Sequence, residues 1–465
     1  MKKPIITLLF LCPSAAFAAD GAVDPISAVL FWVTFLFLFG LIGRNIALRF
    51  KQPGVLGELL MGVLLGNLGY FCGMDLATIL REGSVIFSIM DELLKGIPLA
   101  TAVTKLIPNL HYATSVTQAL GGPNGNDLLK IAYVVDIFSR YGVIFLLFMV
   151  GVESSITEMR RTGMEATRVA VIGVIAPMFL GVLVLHFLMP QFSFASTLFV
   201  AATLSATSVG ITARVLGELK VLQTREARTI LGAAVIDDVL GLIILAVVSG
   251  LVVSGVLDVM AIGRIMASAL LFFSCTLLLG PWVLKKAVVC FSFFEPWEEK
   301  LFVSFLFVMG LSWLATVADL AAIVGAFSAG IIIHDGYFRT ANNDRRIRDL
   351  LTPIEAILTP LFFMLMGIQV KLETFFSGHV LMLALALIIV AIIGKLLSGL
   401  GGSRKDDRLL IGIGMLPRGE VGLVFASIGR TLGVISDDLF SAVVLMVILT
   451  TFIAPCWLKV RYAKH

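Results

Sequence analysis

Charged residues are scarce in this chain: Asp, Glu, Lys and Arg make up 14% of its 465 residues, against roughly 25% in ordinary soluble domains. Long polar stretches are missing too, apart from one at about 71–140, which excludes a conventional soluble enzyme. Hydrophobic residues account for 59%, in apolar runs of helix length that recur along the chain. This composition predicts an all-α polytopic membrane protein.

Residues that usually build metal sites, disulfides or nucleic-acid surfaces are few and scattered. The five cysteines show no metal-ligand spacing, and the net charge of +4 is small and spread over short loops. The Gly-rich stretch GIGMLPRG (412–419) lacks the spacing and strand context of a nucleotide-binding loop. We therefore expect no enzymatic activity, no cofactor and no nucleic-acid partner.

The N-terminus has the pattern of a secretory signal peptide. A basic MKK start precedes the apolar stretch 5–11, and AFA at 16–18 is a small-residue cleavage pattern. We predict a signal peptide at 1–19 and a transmembrane domain at 20–465. The alternative is an uncleaved segment leading into the first membrane helix.

Helix-length apolar runs predict thirteen spans. Their approximate bounds are 27–43, 54–70, 141–158, 166–188, 195–217, 229–252, 260–284, 299–316, 319–334, 351–370, 379–400, 408–430 and 436–458. Lys and Arg concentrate in the loops on one side, with Lys371 as an exception, so the positive-inside rule makes that side cytoplasmic. We predict an inner (plasma) membrane protein with its N-terminus outside and its C-terminus in the cytoplasm.

Two stretches of the chain indicate an internal repeat. VIFLLFMVGVE (143–153) and TPLFFMLMGIQ (359–369) align without a gap, and similar helices follow each. Two six-helix repeats, at about 27–252 and 299–458, joined by a linker helix at about 260–284, would have opposite orientations. Inverted repeats are typical of secondary transporters. The alternative is a chance match within a very apolar composition.

Two adjacent acids lie in the middle of a helix-length apolar run. Asp237 and Asp238 interrupt ILGAAVIDDVLGLIILAVV (230–248), although an ionisable group at mid-membrane costs roughly 2.5–3.5 kcal/mol. Adjacent helical positions point about 100° apart, so one acid can face a protein partner while the other faces an aqueous path. These residues therefore indicate an ion or proton site.

The fifth and twelfth predicted spans contain residues that interrupt helices. ATLSATSVGITARV (202–215) is rich in hydroxyl side chains, including Thr207 and Ser208, and LLIGIGMLPRGEVGLVFASIG (409–429) contains a proline among several glycines. Proline removes a backbone donor and glycine loosens a helix. We predict two discontinuous helices that cross near mid-membrane, where unwound carbonyls can coordinate a cation. Two merely kinked helices are the alternative.

Further charges lie within the predicted spans. Lys395 can pair with the aspartates or extend to the membrane interface instead. A lysine stabilises the charged form of a neighbouring carboxylate, whereas desolvation stabilises the neutral form, so such a cluster can exchange protons. Arg418 and Glu420 can neutralise the partial charges at the ends of the broken helices. The polar segment 71–140 is either an external amphipathic cap or a plain surface loop.

Six motifs, in order, resemble the monovalent cation:proton antiporter family, in the branch of bacterial sodium/proton antiporters and Kef-type potassium proteins. The motifs are FLLFMVGVE, TSVGITARVL, AAVIDDVLGL, PLFFMLMGI, GKLL and PRGEVGLVFASIG. The resemblance implies a homodimer whose core bundle moves against a dimerisation domain. It also implies that Asp238 binds the ion, that Asp237 pairs with Lys395 until the ion enters, and that Thr207 and Ser208 lie beside the ion.

The expected activity is exchange of Na⁺, or Li⁺ or K⁺, for protons across the inner membrane by alternating access. Cation and proton would compete for Asp237 and Asp238. The resemblance leaves a K⁺/H⁺ antiporter or a Kef-type K⁺ efflux protein as the alternative. A gated channel is an alternative from a different class of protein, and it would be excluded if cation movement required proton counterflow.

Overall fold

The computed structural model describes residues 25–50, 52–83, 85–107, 110–153, 163–208, 211–212, 215–216, 219, 221, 224–254, 259–318, 320–338, 345–418 and 420–462. The predicted signal peptide at 1–19 lies outside these residues. All regular structure within them is helical, which confirms the predicted all-α fold. The α-helices are α1 (Pro25–Arg49), α2 (Gly54–Phe71), α3 (Asp75–Glu82), α4 (Val85–Leu94), α5 (Leu99–Leu106), α6 (Leu110–Gly121), α7 (Gly125–Glu153), α8 (Gly163–Leu188), α9 (Phe194–Ser205), α10 (Arg225–Ser254), α11 (Val259–Cys290), α12 (Pro296–Val317), α13 (Ala322–Ile332), α14 (Ile347–Ile368), α15 (Gly378–Ser398), α16 (Arg408–Gly414), α17 (Glu420–Thr431) and α18 (Asp437–Tyr462).

Ten helices of the described chain are long and apolar enough to cross a membrane. The predicted count of thirteen is not confirmed, because three predicted spans are not single long helices: the fifth and ninth contain the short helices α9 and α13, and the twelfth contains the two short helices α16 and α17. The third span also differs from its prediction, since α7 begins at Gly125 and not near residue 141. Its polar first turns explain the error: an apolar run marks only the apolar part of such a helix.

The polar segment between α2 and α7 folds into the four short helices α3 to α6, not into a plain surface loop. Each of them buries apolar side chains in one shared core, such as Ile79, Ile89, Val103 and Val116. That core continues into α1, α7 and α14. We call α3 to α6 the cap, and the end of the molecule on which they lie the cap face.

The long helices form two groups. In the first, which we call the frame bundle, α14 packs against α7 and α2, α2 against α1, and α13 against α7 and α12. In the second, the site bundle, α8 packs against α9, α10 and α15, and α18 packs against α15, α16 and α17. Helix α11 contacts α10 on one side and α12 and α13 on the other, so it links the two bundles.

Close helix crossings explain the glycines of the two matching stretches. A side chain at Gly151 on α7 would collide with the backbone of α13 at Phe327 and Gly330. A side chain at Gly367 on α14 would collide with the backbone of α2 at Leu59 and Gly62. Both stretches therefore place a glycine where a neighbouring backbone leaves no room for a Cβ atom.

Candidate functional site

Helix α9 ends in the interior of the site bundle. The hydroxyl groups of Thr203 and Ser205 donate to carbonyls of their own helix, at 3.0 Å and 2.7 Å, and this local bonding competes with continued helix formation. Ala206 is extended, with φ −60° and ψ 141°, and Thr207 and Ser208 follow it. Helical backbone returns at residues 211–212 and 215–216.

A second interruption separates α16 from α17, and it lies against the first. The Ser208 amide donates to the Pro417 carbonyl oxygen at 2.9 Å, and the Thr207 hydroxyl donates to the Met415 carbonyl oxygen at 3.3 Å. The Thr212 hydroxyl donates to a third carbonyl of this stretch, at 3.0 Å. The two predicted helix breaks thus meet inside the protein, which is where irregular backbone is tolerated at membrane depth.

Arg418 links the two interrupted helices at this crossing. Its side chain is fully buried and Nη1 donates to the carbonyl oxygen of Ala206, where α9 ends. That position suits a cation, because the carboxyl end of a helix carries partial negative charge. The Thr451 hydroxyl of α18 donates to the Arg418 carbonyl oxygen. The side chain of Glu420 lies outside the described residues, so its role remains a prediction.

Asp237 and Lys395 form a buried ion pair between α10 and α15. Lys395 Nζ lies 3.0 Å from Asp237 Oδ1 and 3.3 Å from Oδ2, and the two residues are 0% and 1% exposed, respectively. Lys395 therefore does not extend to the membrane interface. The Ser398 hydroxyl donates to the Lys395 carbonyl oxygen at 2.6 Å.

Asp238 is also buried, with 3% of its surface exposed. Lys395 lies within electrostatic range of Asp238 and Arg418, and Arg418 within range of Asp237. The acid pair and the broken-helix crossing are therefore parts of one charged site with two carboxylates and two cations. With all four groups ionised their charges cancel, so an added cation must displace a proton or weaken an existing ion pair.

Gly173 lies beside the ion pair, although no feature of the sequence indicates this position. Gly173 lies on α8 among apolar residues, where glycine usually indicates only close packing. A Cβ atom there would lie 3.2 Å from Ser398 Cβ, 3.5 Å from Lys395 Nζ and 3.9 Å from Asp237 Oδ1. Only the approach to Ser398 is tight, and the other two are ordinary van der Waals contacts, so Gly173 leaves space beside the ion pair that a side chain larger than alanine would fill.

Comparison with known proteins identifies the family. The family model described as "Sodium/hydrogen exchanger, transmembrane" matches residues 33–461, nearly the whole chain. The chain belongs to the sodium/hydrogen exchanger family. The resemblance found in the ordered motifs is confirmed, and so is a multi-pass membrane protein whose relatives are transporters.

Curated relatives in this family match over most of their length. The chain is 34% identical to the high-affinity Na⁺/H⁺ antiporter NhaS3 of Synechocystis, covering 98% of this chain and 95% of the relative. It is 30% identical to the Na⁺/H⁺-K⁺ antiporter GerN of Bacillus cereus, covering 77% and 93%. It is 28% identical to a Na⁺/H⁺ antiporter of Enterococcus hirae, covering 90% and 94%.

The fold agrees with that of a solved sodium proton antiporter. The structure of the sodium proton antiporter MjNhaP1 from Methanocaldococcus jannaschii at pH 8 superposes with a TM-score of 0.60. It is 15% identical in sequence and covers 95% of this chain and 98% of that one. At this identity the likeness concerns the fold alone, and the residues of the site must be argued from the chain itself.

Proposed function

We propose that this protein is a secondary antiporter that exchanges Na⁺, or Li⁺ or K⁺, for protons at Asp237 and Asp238. The observation that carries the proposal is the buried acid pair, with Asp237 held by Lys395 against the crossing of two broken helices. An ion pair so deep in an apolar bundle is costly to build, and in membrane proteins such groups usually serve ion or proton pathways. The names of the curated relatives agree with this activity.

Competition for the carboxylates is the proposed coupling mechanism. Asp238 binds the entering cation, with Thr207 and Ser208 at the helix break beside it. The added positive charge weakens the attraction of Asp237 for Lys395, and the released ammonium group can give up its proton. Because a low-dielectric site cannot hold both charges at little cost, cation and proton occupy it in turn. Arg418 keeps the break itself neutral, and Glu420 is proposed to assist it.

Alternating access is proposed to arise from movement of the site bundle against the frame bundle. The two interrupted helices and the acid pair all belong to the site bundle, so the site can change its exposure as one rigid unit. The frame bundle would then form the homodimer interface within the lipid bilayer. The two repeats at 27–252 and 299–458, with the linker helix at 260–284, supply two similar halves for this movement.

Orientation follows from the charges of the loops. The face opposite the cap carries most of the Lys and Arg of the connecting segments, so we propose that it is cytoplasmic and that the cap is external. The N-terminus is then outside and the C-terminus inside, in the inner membrane.

A K⁺/H⁺ antiporter or Kef-type K⁺ efflux protein is the second candidate, and the dual Na⁺ and K⁺ name of GerN favours keeping it. The experiment is a pH-gradient assay in everted vesicles, in which Na⁺, Li⁺ and K⁺ are added separately. Proton movement driven by Na⁺ or Li⁺ is expected. Movement driven by K⁺ alone would favour the second candidate, and cation currents without proton counterflow would replace both with a channel.

A further inference from the structure

A second ionic cluster, with a buried lysine at its centre, lies at the cap face. Its centre is Lys371, which is 0% exposed although it lies in the short connection between α14 and α15. Lys371 Nζ lies 2.8 Å from Glu82 of the cap and 2.6 Å from Asp437 at the start of α18. It also lies 3.8 Å from the centre of the Tyr112 ring on α6. One lysine thus joins the cap to the site bundle.

Arg430, in the last turn of α17, makes the same connection a second time. Its Nη2 donates to the Arg81 carbonyl oxygen at the end of α3 and to Asp437, both at 2.8 Å. Its Nη1 donates to the Gln369 side chain at 3.0 Å and to the Gln369 carbonyl oxygen at 3.3 Å. The guanidinium group therefore spans from the site bundle to the cap and to the end of α14 in the frame bundle.

A fourth ion pair joins the cap to the connection between α14 and α15. Arg81 Nη2 lies 2.5 Å and 2.6 Å from the two carboxylate oxygens of Glu373, and the Tyr112 hydroxyl donates to Glu373 at 3.0 Å. The cations Arg81, Lys371 and Arg430 balance three acids in number. These paired charges join the cap, the connection between α14 and α15, and the ends of α17 and α18 that lie beside them.

A cavity of about 360 Å³ lies beside this cluster, between α7, α13 and α14 of the frame bundle and α17 of the site bundle. Gln369 and Arg430 line it, and exposed residues such as Thr431 lie at its rim, so it opens at the cap face. Its deeper walls include Phe362 of α14 and Val424 of α17. The cavity runs along the boundary between the bundles that we propose move against each other.

We propose that Arg430, Lys371 and Asp437, with Arg81, Glu82 and Gln369, form a clamp that stabilises the conformation whose cavity is open at the cap face. Displacement of the site bundle by several ångströms would break bonds of 2.6–3.3 Å that cross the boundary. Bonds made in one conformation and lost in the other shift the population toward the first. The clamp rests on the proposed function, since it assumes that the bundles move during exchange.

The test compares the folded variants Arg430→Gln and Lys371→Met with the wild type. A reporter, Ser427→Cys on the cavity wall, is placed in a background whose native cysteines are serine. A membrane-impermeant maleimide is then applied at the cap face. We expect labelling to become several-fold slower in both variants, and the apparent KM for the cation on that face to rise several-fold. Arg430→Lys should restore part of both effects, since it keeps the charge toward Asp437.

Lys105→Met is the matched control, because Lys105 forms an exposed ion pair with Glu92 within the cap and does not cross between bundles. It should leave labelling and KM unchanged. If a clamp variant does not fold, Asp437→Asn replaces it, since the amide keeps the shape of the carboxylate but loses its charge and one of the two acceptor oxygens that bind Lys371 and Arg430. Unchanged labelling in folded variants, or an equal change in the control, would refute the clamp. Labelling does not require transport, so absence of exchange in the wild type refutes only the proposed function.

Discussion

Lys395 Nζ lies 3.0 Å from Asp237 Oδ1, although 158 positions separate the two residues in the chain. Both side chains are buried, one from α10 and one from α15. The acid of this ion pair, Asp237, is the chain neighbour of Asp238.

Loss of one partner of this ion pair should be more costly than loss of both. We expect Lys395→Met to lower the free energy of unfolding by about 3–5 kcal/mol, because it leaves a buried carboxylate unpaired. The double variant Asp237→Asn/Lys395→Met should recover much of this loss. Thermal unfolding in detergent of the two single variants and the double variant measures the coupling. Additive losses would show that the pair does not interact.

Asp238→Asn should abolish cation-driven proton movement and leave the protein folded, since the amide has the same shape but cannot carry the exchanged proton or charge. Everted-vesicle assays on variant and wild type at equal protein amount measure the effect. Asp127→Asn, which changes an exposed acid on α7, is the control. Exchange at the wild-type rate in the Asp238 variant would overturn the assignment of the ion site.

Gly173 should tolerate only small changes. Gly173→Ala is expected to reduce exchange modestly and Gly173→Val severely, because added atoms approach Lys395 Nζ and Ser398. Gly310→Ala is the control, because no atom lies within 4 Å of its added Cβ. The readout is exchange rate together with thermal stability. Equal exchange by the valine variant and the wild type would mean that the ion pair does not need this space.

Low pH should destabilise the attachment of the cap, because protonation of Glu373 weakens its contacts with Arg81 and Tyr112. Burial raises the pKa of Glu373, but the hydrogen bonds and charge of Arg81, with a hydrogen bond from Tyr112, hold it below its ordinary value of 4.5. A carboxylate with a lowered folded pKa stabilises the protein fully above its unfolded pKa, and this stabilisation is lost as the pH falls through the folded pKa. The contribution is therefore constant near neutral pH and declines below about pH 4.5.

Thermal unfolding measured at a series of pH values checks this expectation. Glu373→Gln should be less stable than the wild type near neutral pH, and the two curves should converge in acid. Glu92→Gln should change little, because Glu92 pairs with lysines at the exposed surface, where solvent screens the charges. Parallel curves for Glu373→Gln and the wild type would contradict the prediction.

The proposed orientation can be tested with native cysteines. Cys72 follows α2 at the cap face and Cys290 ends α11 at the opposite face, and both are exposed. In intact cells, an impermeant maleimide should label a variant that retains only Cys72 and spare one that retains only Cys290. The reverse pattern would place the cap in the cytoplasm.

Several features of this protein could be predicted from local sequence because they depend on what a lipid bilayer accepts. Apolar runs predicted the long helices. The acids in 230–248 and the helix-breaking residues in 409–429 indicated the candidate site, because charged side chains and irregular backbone are both costly in hydrocarbon. The third span was predicted to begin too late, because the first turns of α7 are polar and pack beside the cap. The sequence does not decide whether segment 71–140 is a cap or a surface loop, because short amphipathic helices are stable only through the partners that they pack against.

The sequence by itself therefore determined the all-helical membrane fold, the exchanger family and the residues that had to be buried at unusual cost, because composition and spacing carry those constraints along the chain. Only the tertiary structure decided that Lys395 meets Asp237, that Gly173 leaves space beside this pair, and that Lys371 and Arg430 join the cap to the site bundle. These are contacts between residues far apart in sequence, and which partners meet depends on how the helices pack, a property that no local pattern records.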